Sequence, residues 1–194
     1  MKKEKEKVLV LHGFASIGKP FYSDKEIEYI TPTFDYTDIT GTLKTIEEIV
    51  EKENIELIIG KSTGGWYAMK FYQTHKSITG IFLINPLLEP HKHFKKGIYR
   101  NYYTNEEIAI TDNVLKEYQK NALNFPFFFS GIAFLGKNDE VLNHKEALAK
   151  LQPKLGFEIY DEGHRFFKKG VEKVNEAVKD FLFRTSIIDG LTDE

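Results

Sequence analysis

Short apolar runs alternate with amphipathic segments along most of the chain. Five runs are rich in branched or aromatic side chains and have glycine nearby, as buried strands often do: 8–12, 57–60, 80–85, 131–136 and 157–161. A weaker strand candidate covers 29–35. Intervening segments place apolar residues three or four positions apart, which predicts helices over 43–53, 65–75, 144–152 and 170–184. This alternation predicts an α/β fold, with a mostly parallel sheet flanked by helices on both faces.

One segment interrupts the alternation. Residues 86–128 lie between two predicted strands and are longer than a single crossover helix. A connection of that length inside a compact domain is usually functional. We therefore predict a single domain over 1–194, with a small cap or lid insertion at about 86–128. The C-terminal residues 186–194 are predicted to form a frayed tail.

Composition and charge exclude several classes of protein. The formal net charge of −2 over 194 residues argues against a nucleic-acid partner, because such proteins usually carry a basic surface. The chain has no cysteine, which excludes disulfides and thiolate-bound metals. No uncharged apolar stretch is long enough to span a membrane, and the apolar run after the charged N-terminus is too short for a secretion signal. We therefore expect a cytoplasmic protein without a membrane partner.

The segment LIIGKSTGGWYAM (57–69) passes from a predicted strand to a serine among glycines and then into a predicted helix. A phosphate-binding loop would need G-x-x-x-x-G-K-[ST], but the position of its first glycine is occupied by Ile55. A second partial match, from Gly13 to Lys19, ends at Pro20, which lacks both a hydroxyl and an N–H. The sequence therefore disfavours nucleotide binding.

Residues 60–64, GKSTG, match G-x-S-x-G, the pattern around the nucleophile of a serine hydrolase. Ser62 would sit on a sharp strand-to-helix turn, where small flanking residues keep the backbone from colliding with its neighbours. The same turn would aim the N–H of Thr63 at a reacting carbonyl, helped by the helix N-terminus. The alternative is an ordinary turn in which the serine only caps the helix.

A serine nucleophile needs a base, and His164 has the most suitable position of the 6 histidines. In YDEGHRFF it follows the last predicted strand and precedes the last predicted helix, where an α/β-hydrolase places its base in the chain order Ser, acid, His. The other histidines have less suitable positions: His12, His75, His91, His93 and His144. The H-x-H pair at 91–93 has no evident third ligand, so no metal site is predicted, and the histidine at 12 is expected to organise its loop.

The third member of a triad should hold the imidazole in the right tautomer. Asp139, in GKNDEVLN, follows the predicted strand at 131–136 and would point into the crevice at the carboxyl edge of the sheet. The adjacent Glu140 is expected to point elsewhere, and Asp161 to be structural, while Asp112 in the insertion remains a reserve candidate. A second oxyanion donor is available in LHGFAS, where the Phe14 N–H follows a glycine that lets the loop approach.

Five segments in this order resemble the YqiA/YcfP-like esterases, a small branch of the α/β-hydrolase superfamily: VLVLHGFAS, LIIGKSTGGWYAMKFY, FLINPLLEP, FLGKNDEVLNHKEAL and YDEGHRFF. The resemblance covers nearly the whole chain. It includes the Asn85–Pro86 pair and the Asp-Glu-Val at 139–141 as well as the serine and histidine motifs.

The resemblance implies a compact α/β-hydrolase fold and a Ser62–Asp139–His164 triad, with oxyanion donors at Phe14 and Thr63. It also implies hydrolysis of small-molecule acyl esters or thioesters, acyl-CoA among them, without a cofactor. Because a triad does not fix the leaving group, an amidase or peptidase of the same fold stays open. A non-catalytic binding module of this fold is the alternative from another class.

Overall fold

The computed structural model describes residues 5–165 and 168–192. In chain order its elements are β1 (Glu6–Leu11), β2 (Ile27–Ile30), α1 (Ile39–Glu53), β3 (Leu57–Lys61), α2 (Thr63–Tyr72), β4 (Gly80–Ile84), α3 (Pro90–His93), β5 (Gly97–Arg100), β6 (Glu107–Ile110), α4 (Asp112–Lys120), β7 (Phe127–Phe129), β8 (Gly131–Gly136), α5 (His144–Lys150), β9 (Leu151–Pro153), β10 (Phe157–Tyr160) and α6 (Lys168–Thr192).

The predicted α/β architecture is confirmed. The main sheet has the strand order β10-β8-β4-β3-β1-β2, and every neighbouring pair in it is parallel. The chain leaves β1 towards β2 on one side, and leaves β3 towards β4 on the other. The point where strand order reverses therefore lies between β1 and β3. In open α/β sheets, ligands bind in the crevice at the carboxyl ends of the strands next to such a point.

Alternate side chains of the central strands pack into two separate apolar layers. In β1, Leu9 and Leu11 join a layer with the buried residues of α1, α2, α4 and α5. Val8 and Val10 face the opposite layer, which includes Val174, Val178 and Phe181 of α6. Both faces of the sheet are covered, which explains why the strands read as continuous apolar runs and not as alternating ones.

Several predicted boundaries differ from the structure. Helix α1 begins at Ile39, before the predicted 43, because the side chain of Asp38 accepts a hydrogen bond from the Gly41 N–H (2.9 Å) and caps the helix. The predicted helix over 144–152 is wrong at its end, where Leu151 and Gln152 belong to β9. The prediction of a frayed tail is also wrong over 186–192, because α6 continues to Thr192. The last two residues lie outside the described part.

The segment 86–128 folds onto the core through a short hairpin and a helix. Strands β5 and β6 pair antiparallel, and α4 follows them. Tyr118 of α4 is fully buried, and its hydroxyl donates a hydrogen bond to the backbone oxygen of Tyr36 at 2.6 Å. At the hairpin tip, the N–H of Tyr102 donates to the Ala15 oxygen at 2.9 Å, in the loop after β1. The segment thus lies directly against that loop. Within the described residues, no helix is both long and apolar enough to cross a membrane.

Candidate active site

Ser62 occupies a strained turn between β3 and α2. Its backbone angles are φ 51° and ψ −119°, a region that residues other than glycine rarely adopt. Such a conformation costs on the order of 1–3 kcal/mol and persists only where the surroundings enforce it. Although Ser62 stands at the N-cap position, its side chain forms no capping hydrogen bond. The alternative interpretation, a serine that only caps the helix, is therefore wrong.

Backbone hydrogen bonds on both sides enforce this turn. The Ser62 N–H donates to the Ile84 oxygen at 3.0 Å, and its own carbonyl oxygen accepts from Gly65 and Leu87, both at 2.9 Å. A Cβ atom at Gly60 would lie 2.6 Å from the Gly64 oxygen, so a side chain there would force the turn open. The hydroxyl is left free of a capping role, on a residue that is 8% exposed.

The loop after β1 comes close to the nucleophile candidate. A Cβ atom added at Gly13 would lie only 3.3 Å from the Cβ of Ser62. Phe14 follows directly in this loop, while Thr63 begins α2, so the Thr63 N–H has no acceptor within the helix. The backbone groups expected to donate to an oxyanion therefore come from the two loops that flank the point where strand order reverses.

His12 holds the loop after β1 in place. Its Nε2 accepts the backbone N–H of Phe34 at 2.9 Å, so the ring proton must be on Nδ1, which lies 2.7 Å from the Gly13 oxygen and donates to it. Burial lowers the pKa of His12, although the hydrogen bond to Gly13 opposes this effect. These contacts agree with the expectation that His12 organises its loop.

Asp139 and His164 meet at the carboxyl edge of the sheet. The His164 Nδ1 lies 2.9 Å from the Asp139 Oδ2, with the imidazole side chain 16% exposed and the carboxylate 2% exposed. The other carboxylate oxygen accepts the N–H groups of Val141 and Leu142, each at 2.8 Å. Burial would raise the pKa of Asp139, but the hydrogen bonds from His164 and the two backbone N–H groups together lower it. The group is therefore ionised and aimed at one ring nitrogen.

Asn85 links His164 to the serine turn, a role that the sequence did not reveal. Its side-chain amide donates to the backbone oxygens of Gly163 and His164 at 3.1 and 3.2 Å, and its Oδ1 accepts the Gly136 N–H at 2.6 Å. Asn85 directly follows Ile84, whose carbonyl holds the Ser62 N–H. The histidine loop, although it follows the outermost strand β10, is thereby held over β4, next to the strand that carries the serine.

The other carboxylates considered from the sequence have different partners. Glu140 was expected to point elsewhere, but its Oε2 accepts the backbone N–H of His164 at 3.0 Å and so binds the main chain of that residue, not its imidazole. Asp161 accepts a hydrogen bond from Asn138 at 2.7 Å. Asp112 is paired with Lys96 on the surface of the insertion. Of the candidate acids, only Asp139 therefore has a side-chain hydrogen bond to the imidazole within the described residues. In that part of the chain, no group of three metal-binding side chains lies together.

Aromatic side chains of the insertion support the loop after β1. The Phe14 ring packs against Phe94 and Tyr99, with ring centres 4.6 and 5.3 Å apart. Tyr102 and Tyr103 are 71% and 53% exposed at the hairpin tip. In contrast, Phe127 and Phe129 are buried in the core, while Phe128 is exposed. The aromatic side chains of the insertion thus have three positions: behind Phe14, in the core and at the surface.

A basic pair, Lys61 and Arg165, adjoins the proposed nucleophile and the proposed base in the sequence. Lys61 is half-buried, and burial together with the neighbouring Arg165 lowers its pKa, although Glu162 opposes the effect. The Arg165 guanidinium carbon lies 5.6 Å from the centre of the Tyr102 ring, within the range of a cation–π contact. Lys61 and Arg165 directly adjoin Ser62 and His164 in the sequence.

The parallel sheet, the covering helices and the strained serine turn define an α/β-hydrolase fold. Three solved structures that share this fold are α/β-hydrolase domain-containing protein 10 from mouse, Est1E from Butyrivibrio proteoclasticus and an esterase domain from Rhodothermus marinus. The mouse protein is 13% identical, with 95% of this chain and 92% of that chain covered and a TM-score of 0.71. Est1E is also 13% identical, with coverage of 94% and 88% and a TM-score of 0.68. The Rhodothermus domain is 14% identical, with coverage of 94% and 89% and a TM-score of 0.68.

At these identities the structural likeness shows the fold alone. No curated protein sequence matches the chain. A family model does match, over residues 7–183, and it is that of the uncharacterised protein family UPF0227. The chain belongs to this family, which is that of the YcfP/YqiA-like esterases, so the resemblance found in the sequence motifs is confirmed.

Proposed function

We propose that the protein is a serine hydrolase that cleaves carboxylic ester or thioester bonds through a Ser62–His164–Asp139 triad. The observation that carries this proposal is the 2.9 Å hydrogen bond between the Asp139 carboxylate and His164 Nδ1, at the sheet edge that also presents the strained Ser62 turn. A carboxylate on Nδ1 keeps the proton there and leaves Nε2 free to accept another. That is the state a general base needs.

The reaction proceeds in two halves. His164 Nε2 takes the hydroxyl proton of Ser62 while the oxygen attacks the substrate carbonyl, and the N–H groups of Phe14 and Thr63 stabilise the oxyanion. The imidazolium then gives its proton to the departing alcohol or thiol, which leaves an acyl-serine. Water, deprotonated by the same imidazole, attacks this ester in turn; the proton returns to the Ser62 oxygen as the carboxylic acid departs. No cofactor enters either half.

Two lysines of the insertion that could attract an anionic leaving group such as coenzyme A are already paired with carboxylates. Lys92 pairs with Glu89 at 2.6 Å, and Lys96 pairs with Asp112. An anionic leaving group would have to compete with these carboxylates. One of the similar structures, from Rhodothermus marinus, is an esterase domain.

Covalent labelling with a fluorophosphonate tests the proposal directly. The probe should label the wild-type protein, and Ser62→Ala should abolish labelling. Ser77→Ala, at an exposed serine, is the matched control and should label like the wild type. Ester, thioester and amide substrates with the same acyl group would then be compared by kcat/KM. A folded wild-type protein that neither labels nor hydrolyses any of them would favour the binding module, and a preference for the amide would favour an amidase.

A further inference from the structure

A cavity of about 270 Å³ lies beside the serine turn, between the segment that follows β4 and helix α5. Its walls include Leu87, Leu88, Glu89, His93, Leu142 and Ala147. Leu87 also donates its N–H to the Ser62 carbonyl oxygen at 2.9 Å. Leu87 thus belongs both to a wall of the cavity and to the hydrogen bonds that hold the turn of the proposed nucleophile.

The opposite wall connects the cavity to the proposed acid. A smaller neighbouring cavity is lined by Asp139 and shares Leu142 and Ala147 with the larger one. The N–H of Leu142 donates to the Asp139 carboxylate at 2.8 Å. The two cavities therefore lie between the segment whose Leu87 holds the serine turn and the loop that carries the proposed acid.

The charged groups around the cavity neutralise one another. Glu89 accepts hydrogen bonds from Lys150 and Lys92, and Lys150 also contacts Glu146 at 2.6 Å. Although burial opposes the effect, the hydrogen bonds from Lys150 and then Lys92 lower the pKa of Glu89 to about 2. Two carboxylates and two ammonium groups are therefore paired with one another, so a charged ligand would gain no unpaired counter-ion here.

The remaining walls are divided between carbon and polar atoms. Leucine and alanine side chains supply the apolar part, while the ion network and the exposed His93 supply polar groups. A long fatty chain would bury such polar groups against carbon, which is unfavourable. At about 30 Å³ for a water-sized group, the whole volume sets an upper bound of roughly nine such groups on any substituent.

We propose that this cavity is a substrate subsite, which takes one short, uncharged substituent of the ester and tolerates a polar atom within it. The assignment rests on the proposed function, and it goes beyond that function by specifying the size and charge of one part of the substrate. The substituent is part of either the acyl group or the alcohol of the ester, and in both cases it would contact the same side chains of the cavity.

Ala147→Leu is the central test, because the larger side chain would fill part of the cavity. Ala149→Leu makes the same change at an exposed position of α5 and is the matched control. In the acyl arm, kcat/KM is compared for 4-nitrophenyl acetate and pentanoate. In the alcohol arm, it is compared for methyl and pentyl acetate. We expect the long-to-short ratio to fall about tenfold in one arm for Ala147→Leu, and to stay at the wild-type value in both arms for the control.

A second variant acts in the opposite direction and guards against a folding defect. Leu142→Ala enlarges the same cavity and keeps the backbone N–H that binds Asp139, so it should shift the preference towards longer substituents in the same arm. Using the wild type, that arm is then extended to matched substituents of similar length. The kcat/KM for a substrate that carries a methoxyethyl group should be within about threefold of that for a butyl group. The kcat/KM for a carboxyethyl group should be at least about tenfold lower than that for butyl.

Each result decides between separate claims. If the wild type labels with fluorophosphonate and hydrolyses esters, but neither cavity variant moves a ratio beyond the Ala149→Leu control, the subsite assignment is overturned and the hydrolase stands. A faster reaction with the carboxylate substituent would overturn its uncharged character. If the folded wild type neither labels nor turns over esters, the hydrolase itself fails and the subsite fails with it.

Discussion

The side-chain amide of Asn85 donates a hydrogen bond to the backbone oxygen of His164 at 3.2 Å, although the two residues are 79 positions apart. The same side chain accepts the Gly136 N–H, so it joins the ends of β4 and β8 to the loop that carries the proposed base. Asn85 itself adopts a φ of 41°, a left-handed conformation that asparagine tolerates better than most residues. One amide therefore fixes three loops at the rim of the sheet.

Replacement of Asn85 by alanine should weaken both the fold and the reaction. The Gly136 N–H and two carbonyl groups would lose their partner, which costs about 1–3 kcal/mol for a buried group left unsatisfied. A displaced imidazole should lower kcat by about 10- to 100-fold. Urea unfolding and ester hydrolysis would measure the two effects. Asn138→Ala removes an exposed hydrogen bond from the same rim, and it should change neither the stability nor kcat by much. Equal effects of the two variants would contradict the role of Asn85.

Asp139→Asn should abolish most activity and leave the fold intact. An amide keeps an oxygen that can accept the N–H groups of Val141 and Leu142, but its NH₂ group would face His164 Nδ1 and favour the wrong tautomer. In a comparable triad this change costs about 10⁴ in kcat. The measurements are kcat for an activated ester and a thermal unfolding curve. Asp112→Asn, at an exposed ion pair, is the control, and a kcat that survives Asp139→Asn would eliminate the proposed acid.

The stability of the protein should fall with acid through His12. Because burial lowers the pKa of His12 in the folded state, the unfolded chain binds its proton at a higher pH, near the ordinary value of about 6.5. The contribution of neutral His12 to the free energy of unfolding is therefore complete above that pH and is lost as the pH falls below it. Protonation would also remove the acceptor for the Phe34 N–H.

Urea unfolding at several pH values between about 7.5 and 5 would measure this dependence. His12→Phe should be less stable than the wild type at neutral pH, yet lose less stability on acidification. His144→Gln, which removes an imidazole at the start of α5, is the matched control. If the slope of His12→Phe equals that of the wild type, the acid sensitivity comes from other groups.

The sheet and the chain order of the proposed nucleophile, acid and base could be predicted because each depends on a local sequence pattern. GKSTG specifies a strained turn by its own glycines, and each buried strand is an apolar run of its own. Contacts between distant residues leave no such pattern. Nothing in FLINPLL indicates that Asn85 binds the loop of His164, and nothing near Glu89 indicates the ion network around the cavity.

The internal structure of 86–128 was missed for a related reason. Strands β5 and β6 are four residues long and mostly exposed, so they lack the alternation of a half-buried strand. Helix α4 has one fully buried anchor, Tyr118, and its hydrogen-bond partner Tyr36 lies 82 residues away. The length of the insertion could be predicted, but its placement depends on aromatic contacts that only the folded chain creates.

The position of this insertion leads to a further prediction, at Tyr118. Tyr118→Phe keeps the ring in the core but removes the hydroxyl that donates to the Tyr36 oxygen, so unfolding should become easier by about 1 kcal/mol. Because Phe94 and Tyr99 pack behind Phe14, a looser insertion should also disturb the proposed oxyanion loop and lower kcat/KM.

Tyr102→Phe, at the exposed hairpin tip, is the matched control for loss of a tyrosine hydroxyl. Amide hydrogen exchange should accelerate across 94–118 in the first variant and not in the second. Unchanged exchange and stability in Tyr118→Phe would mean that the hydroxyl does not hold the insertion in place.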